Sequence, residues 1–202
     1  MARSEAARTA LLDAAERLFA EHGIAPVSDR RVAEAAGNSN HSAVGYYFEG
    51  RPGLLRALIT RHAAPLEARR LDAFEGSDSL LGDVRSLVIP HVDLLASLPQ
   101  PSWRARFLHR AAHDPSVEDL MRESARSVTV VAHSVVARLD HLDREVVAGR
   151  VRLTAHMVST ACAEVETRAQ QDGQEPRWAA VGNFLADAIA GMLQAPITRN
   201  GM

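Results

Sequence analysis

Apolar residues recur at helical spacing from the start of the chain. Between Glu5 and His22 the positions Ala7, Leu11, Leu12, Ala15, Leu18 and Phe19 make one stripe, and Gly23 follows as a stop. A short apolar linker, Ile24 to Val27, contains Pro26. Ser28 can then cap a second helix running through Val32, Ala33 and Ala36 to Gly37. Asn38 to Asn40 is polar, after which Ser42 to Phe48 resumes a helical pattern closed by Glu49 and Gly50. Pro52 suits the first turn of a long helix from about Arg51 to Ala73, with Leu54, Leu55, Leu58, Ile59, Ala63 and Leu66 on its buried stripe and Pro65 as a kink or division.

Further breaks fall at Gly76-Ser77, Pro99-Gln100-Pro101, Asp114-Pro115-Ser116, Asp140 to Asp143 and Asp172 to Pro176. They predict five more helices, near 78–98, 102–113, 116–139, 143–171 and 176–194, and a frayed tail from Pro196 onward. The expectation is an all-α chain of about nine helices. A three-helix head spans residues 1–50 and a helical body spans 51–202.

Composition sharpens this reading. Of 202 residues 47% are hydrophobic, enough to fill a sizeable core, while 4% are aromatic and long runs of strand-forming residues are missing. Every basic residue is arginine, so any phosphate would meet a forked, planar donor. A net charge of −2 argues against coating nucleic acid by bulk charge but leaves room for a local positive face. The single cysteine, Cys162, rules out an internal disulfide framework and reads as a small buried hydrophobe, with a reducing cytoplasm as the expected compartment. No apolar run approaches the length of a membrane span, and no export signal is visible at the start.

Two short helices joined by a tight, glycine-containing connection match a helix-turn-helix, whose second helix must enter the major groove. Small residues are needed where the helices cross, and Ala33, Ala36 and Gly37 supply them; Val32, Val44 and Phe48 can form the small core. The outward set is then Asn38, Ser39, Asn40, His41, Ser42, Tyr46 and Tyr47, short polar groups suited to base edges followed by phenols suited to phosphates. Ser28 at a helix N-terminus, with Arg30, Arg31 and Arg51, extends the phosphate-binding side.

Val32-Ala33, Ala36-Gly37 and Ala43-Val44-Gly45-Tyr46-Tyr47-Phe48, followed by Arg51 and Leu54-Leu55, resemble the DNA-binding head of the tetracycline-repressor (TetR) family over about residues 8 to 60. The resemblance implies a helical ligand-binding body and a homodimer formed through the last two long helices. It also implies a repressor that leaves its double-stranded DNA operator when a small-molecule effector binds. Tyr47 stands where many members carry His, Arg51 where Lys is commoner, and Gly45 where Tyr or Asn is frequent. Gly45 costs the recognition helix about 1 kcal/mol relative to Ala.

For dimerisation the penultimate helix offers Val147, Val151, Thr154, Val158, Ala161, Cys162 and Val165, and the last offers Val181, Phe184, Leu185, Ala188, Ile189 and Met192. Ala180, Gly182, Ala186, Ala190 and Gly191 permit close approach of helices. For an effector cavity, Trp103, Phe107, Met121, Val128, His133 and Met157 are candidates, and the helix from Arg51 is positioned to pivot between body and head.

His109 and His113 have the i,i+4 spacing of two metal ligands beside Asp114, but the metalloprotease glutamate is missing. No nucleophile elbow, phosphate loop or paired carboxylate stands out, so neither catalysis, a cofactor nor a metal is expected. A helical sensor, metal-responsive or with altered or lost DNA binding, is the alternative these residues leave open.

Overall fold

The computed structural model describes residues 2–197, and among them it shows ten α-helices, one 3-10 turn and no strand. The helices are α1 (Ala2–His22), α2 (Asp29–Ala35), α3 (Ala43–Phe48), α4 (Arg51–Glu75), α5 (Leu80–Ala96), α6 (Arg104–Ala111), α7 (Glu118–Glu123), α8 (Arg126–Arg138), α9 (Arg144–Asp172) and α10 (Trp178–Gln194); the 3-10 turn, Pro115–Val117, precedes α7. The all-α expectation holds. Of the tail expected to fray, residues 198–202 lie outside the described residues.

Two helix boundaries differ from the pattern-based reading. Residues 116–139 form two main helices because the chain breaks at Ser124 and Ala125, and α8 restarts where Glu67 of α4 accepts from the Ser127 amide at 2.8 Å and its hydroxyl at 2.7 Å. A carboxylate sixty residues away thus satisfies a donor at a helix N-terminus, and no local motif announces it. Conversely, α4 runs unbroken through Pro65. The proline is exposed, so water can satisfy the Arg61 carbonyl that its missing N–H leaves behind.

Local caps explain several other starts. Ser28 accepts from the Arg31 amide, Ser79 from Gly82, and Asp143 from Glu145 and Val146. α6 has no such local cap; Glu166 of α9 takes the role, accepting from the Ala105 and Arg106 amides at 3.2 and 3.0 Å and from the Ser102 hydroxyl at 2.8 Å.

The apolar interior has two clusters. The first joins Leu11, Leu18 and Phe19 of α1 with Val32, Val44, Phe48, Leu54 and Leu58, and it also takes in Phe107, Ala111 and Val117. The head therefore shares its core with the body across residue 50. Phe107 is 0% exposed and its ring centroid lies 6.2 Å from that of Phe19, so this pair ties α6 to α1.

The second cluster packs α5 against α8, α9 and α10 through Val84, Val88, Val92, Val135, Cys162, Leu185 and Ile189. Gly182 lets α10 approach α5: a Cβ there would stand 2.6 Å from Val92 Cγ2.

Candidate nucleic-acid interface and effector cavity

The connection between α2 and α3 begins at Gly37, whose φ of +67° is open to glycine at little cost. The Gly37 and Asn38 amides donate back to Glu34 and Ala33, closing α2. Two successive side-chain turns follow: the Asn38 side-chain oxygen accepts from the Asn40 amide, and that of Asn40 accepts from the Ser42 amide, both at 3.0 Å. These asparagines thus build the turn with their oxygens. Ser39, Asn40, His41 and Ser42 are exposed in the turn and Asn38 is half-buried, so all five precede α3 rather than riding on it.

On α3 itself, Ala43, Val44 and Phe48 face inward while Gly45 and Tyr46 face out. Tyr46 is 77% exposed and stands edge-on to the half-buried Tyr47, with centroids 4.9 Å apart. Beyond α3, Glu49 adopts the left-handed conformation with φ of 60°, and α4 begins after Gly50. Gly53 permits the join, because a Cβ there would run into the Phe48 carbonyl.

The basic groups divide by what they touch. Arg30 donates to Glu34 at 2.8 Å, and its guanidinium holds the Glu34 carboxyl below the ordinary carboxylate range. Arg31 donates to His22 Nε2 at 2.8 Å and is exposed. Arg51 points into the head: it pairs with Asp29 at 3.0 Å, donates to the Ile24 carbonyl and lies 4.5 Å from the Phe19 ring centroid. Its charge locks α4 to the segment that leads into α2. Ser28 spends its hydroxyl oxygen on the cap of α2.

A cavity of about 390 Å³ lies in the body among α4, α5, α8 and α9, and its wall is mostly aliphatic. Met121 and Val128 are part of that wall. The other sequence candidates sit elsewhere: Phe107 fills the head cluster, Trp103 packs against it, Met157 packs on the body cluster and His133 is exposed. Helical periodicity finds apolar positions without saying which apolar contact each one makes. Cys162 does reach the wall at 1% exposed, and burial, helped by Glu166, pushes its thiol up to about 12.

Three basic residues on the wall escaped the sequence reading: His62, Arg70 and His91. The signal was present, since His62, Leu66 and Arg70 extend the apolar stripe of α4 at four-residue steps and interrupt it with charge-bearing groups. His62 is 1% exposed and its Nε2 lies 3.2 Å from Glu16 Oε2 of α1. Burial lowers the His62 pKa, with the Glu16 carboxylate pulling the other way. Burial raises that of Glu16, but His62, Arg104 and Arg61 outweigh it and leave the carboxyl below its ordinary value. Burial, joined by the charges of Arg70 and Arg104, pushes His91 down to about 3.

His109, His113 and His156 stack side by side, with ring centroids 4.8 and 5.6 Å apart. Their ring nitrogens do not converge: His109 Nδ1 is within hydrogen-bond reach of Ser159 and His113 Nδ1 of the His109 carbonyl. Among the described residues no group of three metal-binding side chains has the geometry to hold an ion.

A helix-turn-helix head with exposed polar groups on its turn and second helix, sharing a core with a hollow helical body, defines a DNA-binding transcriptional regulator. Bacterial regulatory proteins of the tetR family match residues 11–58. An HTH-type transcriptional repressor of Mycobacterium tuberculosis is 32% identical over 148 residues, 73% of this chain and 70% of that protein. The chain belongs to the TetR family.

The fold agrees. A TetR family transcription regulator from Marinobacter aquaeolei VT8 superposes with a TM-score of 0.62 at 18% identity, covering 92% of this chain and 96% of that one. NalD, the secondary repressor of the MexAB-OprM multidrug efflux pump in Pseudomonas aeruginosa, gives 0.51 at 21% identity, with 92% and 96% covered. Among the described residues no helix is long and apolar enough to cross a membrane.

Proposed function

We propose that this protein is a homodimeric repressor that binds a near-palindromic operator and leaves it when a small molecule enters the body cavity. The observation that carries the reading is the placement of His62, which belongs to the cavity wall and lies beside Glu16 of the head's first helix. An occupant of the cavity therefore presses on a residue that touches the DNA-binding unit. A shift of α4 would be transmitted to the head through this contact and through Arg51.

The DNA surface comprises Ser39, Asn40, His41, Ser42 and Tyr46, with the amide nitrogens of Asn38 and Asn40 left to donate once their oxygens have made the turn. Tyr47, Arg31 and the amides at the start of α2 supply phosphate contacts, and Arg30 adds one when it leaves Glu34. Arg51 acts by positioning α4 against the head, since its guanidinium is already engaged.

A second copy of the chain is expected on α10. Gly182, Ala186 and Ala190, small residues on that helix, are buried inside the subunit, so they serve its internal packing. The outward strip is Ala180, Phe184, Asp187 and Gly191, with Phe184 71% exposed. Two such strips around a twofold axis would make a four-helix contact with α9 and present two heads to successive half-sites.

The test is titration of the full-length protein against its own upstream intergenic DNA in the presence of competitor DNA, repeated with Tyr46→Ala and with Phe184→Arg. Tight binding that Tyr46→Ala weakens, together with sedimentation of Phe184→Arg as a monomer, supports the reading. Binding indifferent to both changes would overturn it.

A further inference from the structure

The charge on the cavity wall has one sign. Arg70 is the sole cation among the lining residues, and no carboxylate lines the wall. Its Nε donates to the Leu87 carbonyl at 3.3 Å, and no carboxylate pairs with it among the described residues. Glu67, one turn earlier on α4, has both oxygens accepting from Ser127; its charge reaches Arg70 but makes no hydrogen bond to the guanidinium and does not face the cavity. A guanidinium has five donors in a planar fork, so most of this one is left unspent at an aliphatic wall.

His91 adds a second, independent sign. It is 8% exposed, its Nδ1 has no hydrogen-bond partner, and it lines the same cavity. The Arg70 charge is close enough to help hold the imidazole neutral. Arg70 is half-buried with donors unspent and His91 Nδ1 has no partner, and an anion accepts from the guanidinium and, with the proton on Nδ1, from the imidazole. A cationic occupant would instead face Arg70 with no carboxylate on the wall to offset it.

The shape of the rest of the wall specifies the other half of the ligand. Leu66, Val88, Leu108 and Val128 are aliphatic, and His62 lies eight residues before Arg70 on α4, roughly 12 Å along the helix. We propose that the cavity takes an amphiphilic anion, a molecule with a carboxylate or similar oxyanion held by Arg70 and His91 and an apolar body lying along the aliphatic wall toward His62. This inference rests on the effector reading of the cavity and names the chemical class of the effector. It also gives that effector a reach: an apolar body long enough to arrive at His62 meets the residue that contacts Glu16.

The experiment is isothermal titration of the full-length protein with three probes of matched chain length: decanoate, 1-decanol and decyltrimethylammonium, each below its micelle-forming concentration. Each is repeated with Arg70→Gln and, as a second variant that leaves α4 untouched, with His91→Phe. Decanoate is expected to bind the wild-type chain about tenfold more tightly than decanol, the ratio given by roughly 1.4 kcal/mol of charge-assisted hydrogen bonding. The ammonium probe is expected to bind most weakly, and Arg70→Gln to erase the preference by weakening decanoate alone, with His91→Phe reducing it in part.

The proposal is overturned if decanol or the ammonium binds as well as decanoate, if none of the three binds, or if the preference survives in both variants. DNA affinity is read in parallel on the same samples. Arg70-dependent decanoate binding that leaves DNA affinity unchanged would uphold the anion site and overturn the effector reading, whereas release of DNA by decanoate would support both.

Discussion

His62 Nε2 stands 3.2 Å from Glu16 Oε2, joining a residue of the cavity wall to the first helix of the DNA-binding head. Glu16 is also 3.7 Å from Arg104 Nε and 4.0 Å from Arg61 Nη1, so one carboxylate gathers α1, α4 and α6. The arrangement is polar and, apart from the part-exposed Arg61, largely buried. Side chains of that kind have few alternative arrangements, which suits a contact that must report a change on one side to the other.

Glu16→Gln should strand the buried Arg104 without its counter-charge and remove the carboxylate beside His62 Nε2. Breaking a buried pair by removing one partner costs about 3 kcal/mol or more, and a chain of this size should melt roughly 10 °C lower. Thermal unfolding followed by circular dichroism measures this. An unchanged midpoint would mean the cluster contributes nothing to holding the head on the body.

Acid should weaken the fold as pH falls below the ordinary histidine range. His91 and His62 both have folded-state values below their ordinary 6.5, so under that pH the unfolded chain binds more protons than the folded one. Their contribution is complete above about pH 6.5 and is lost as pH falls toward the folded value, about 3 for His91. Glu16 adds a lower window: its lowered carboxyl stabilises above 4.5 and loses that contribution as pH falls through its folded value. Melting midpoints compared between about pH 7 and about pH 5 should decline, and His91→Leu should flatten the decline. An identical slope in wild type and variant would remove His91 from the account.

Glu34→Gln should tighten DNA binding several-fold. Glu34 holds Arg30 at 2.8 Å and lies 3.6 Å from His41, so it opposes phosphate contact by both. Freeing Arg30 for one more phosphate should steepen the dependence of log affinity on log salt by about 0.9. Fluorescence anisotropy across a salt series reads both quantities, and an unaltered slope would show that Arg30 does not reach the backbone.

Gly45→Ala and Gly53→Ala should move stability in opposite directions. A Cβ at Gly45 meets nothing within 4 Å, so alanine there stiffens α3 by up to about 1 kcal/mol. A Cβ at Gly53 collides with the Phe48 carbonyl, a backbone atom that cannot step aside. Chemical denaturation of both variants checks the contrast.

Much of this architecture is written in local order. Helix spacing, the caps Ser28 and Ser79, the stop at Gly37 and the run from Ala43 to Phe48 are relations between near neighbours. They predict an all-helical chain with a helix-turn-helix head, because local periodicity decides which face of a helix is buried. The family resemblance drew on the same short segment.

What near neighbours do not encode is the partner of each buried face. Phe107 and Met121 look alike as apolar positions on helices, yet one fills the head core and the other lines the cavity. Arg51 looks like a free cation until Asp29 and the Ile24 carbonyl are brought to it. Gly182, Ala186 and Ala190 look like a surface for a second subunit until α5 occupies it.

The sequence by itself determined most of the helices, their order and the head, since those follow from contacts a few residues apart; the restart at α8, capped by Glu67 from sixty residues away, does not. Only the tertiary structure decided that His62, Arg70 and His91 share a cavity and that Glu16 and Glu166 anchor elements far along the chain. Those relations span tens of residues, and they exist only once packing has excluded water and chosen which charges face each other.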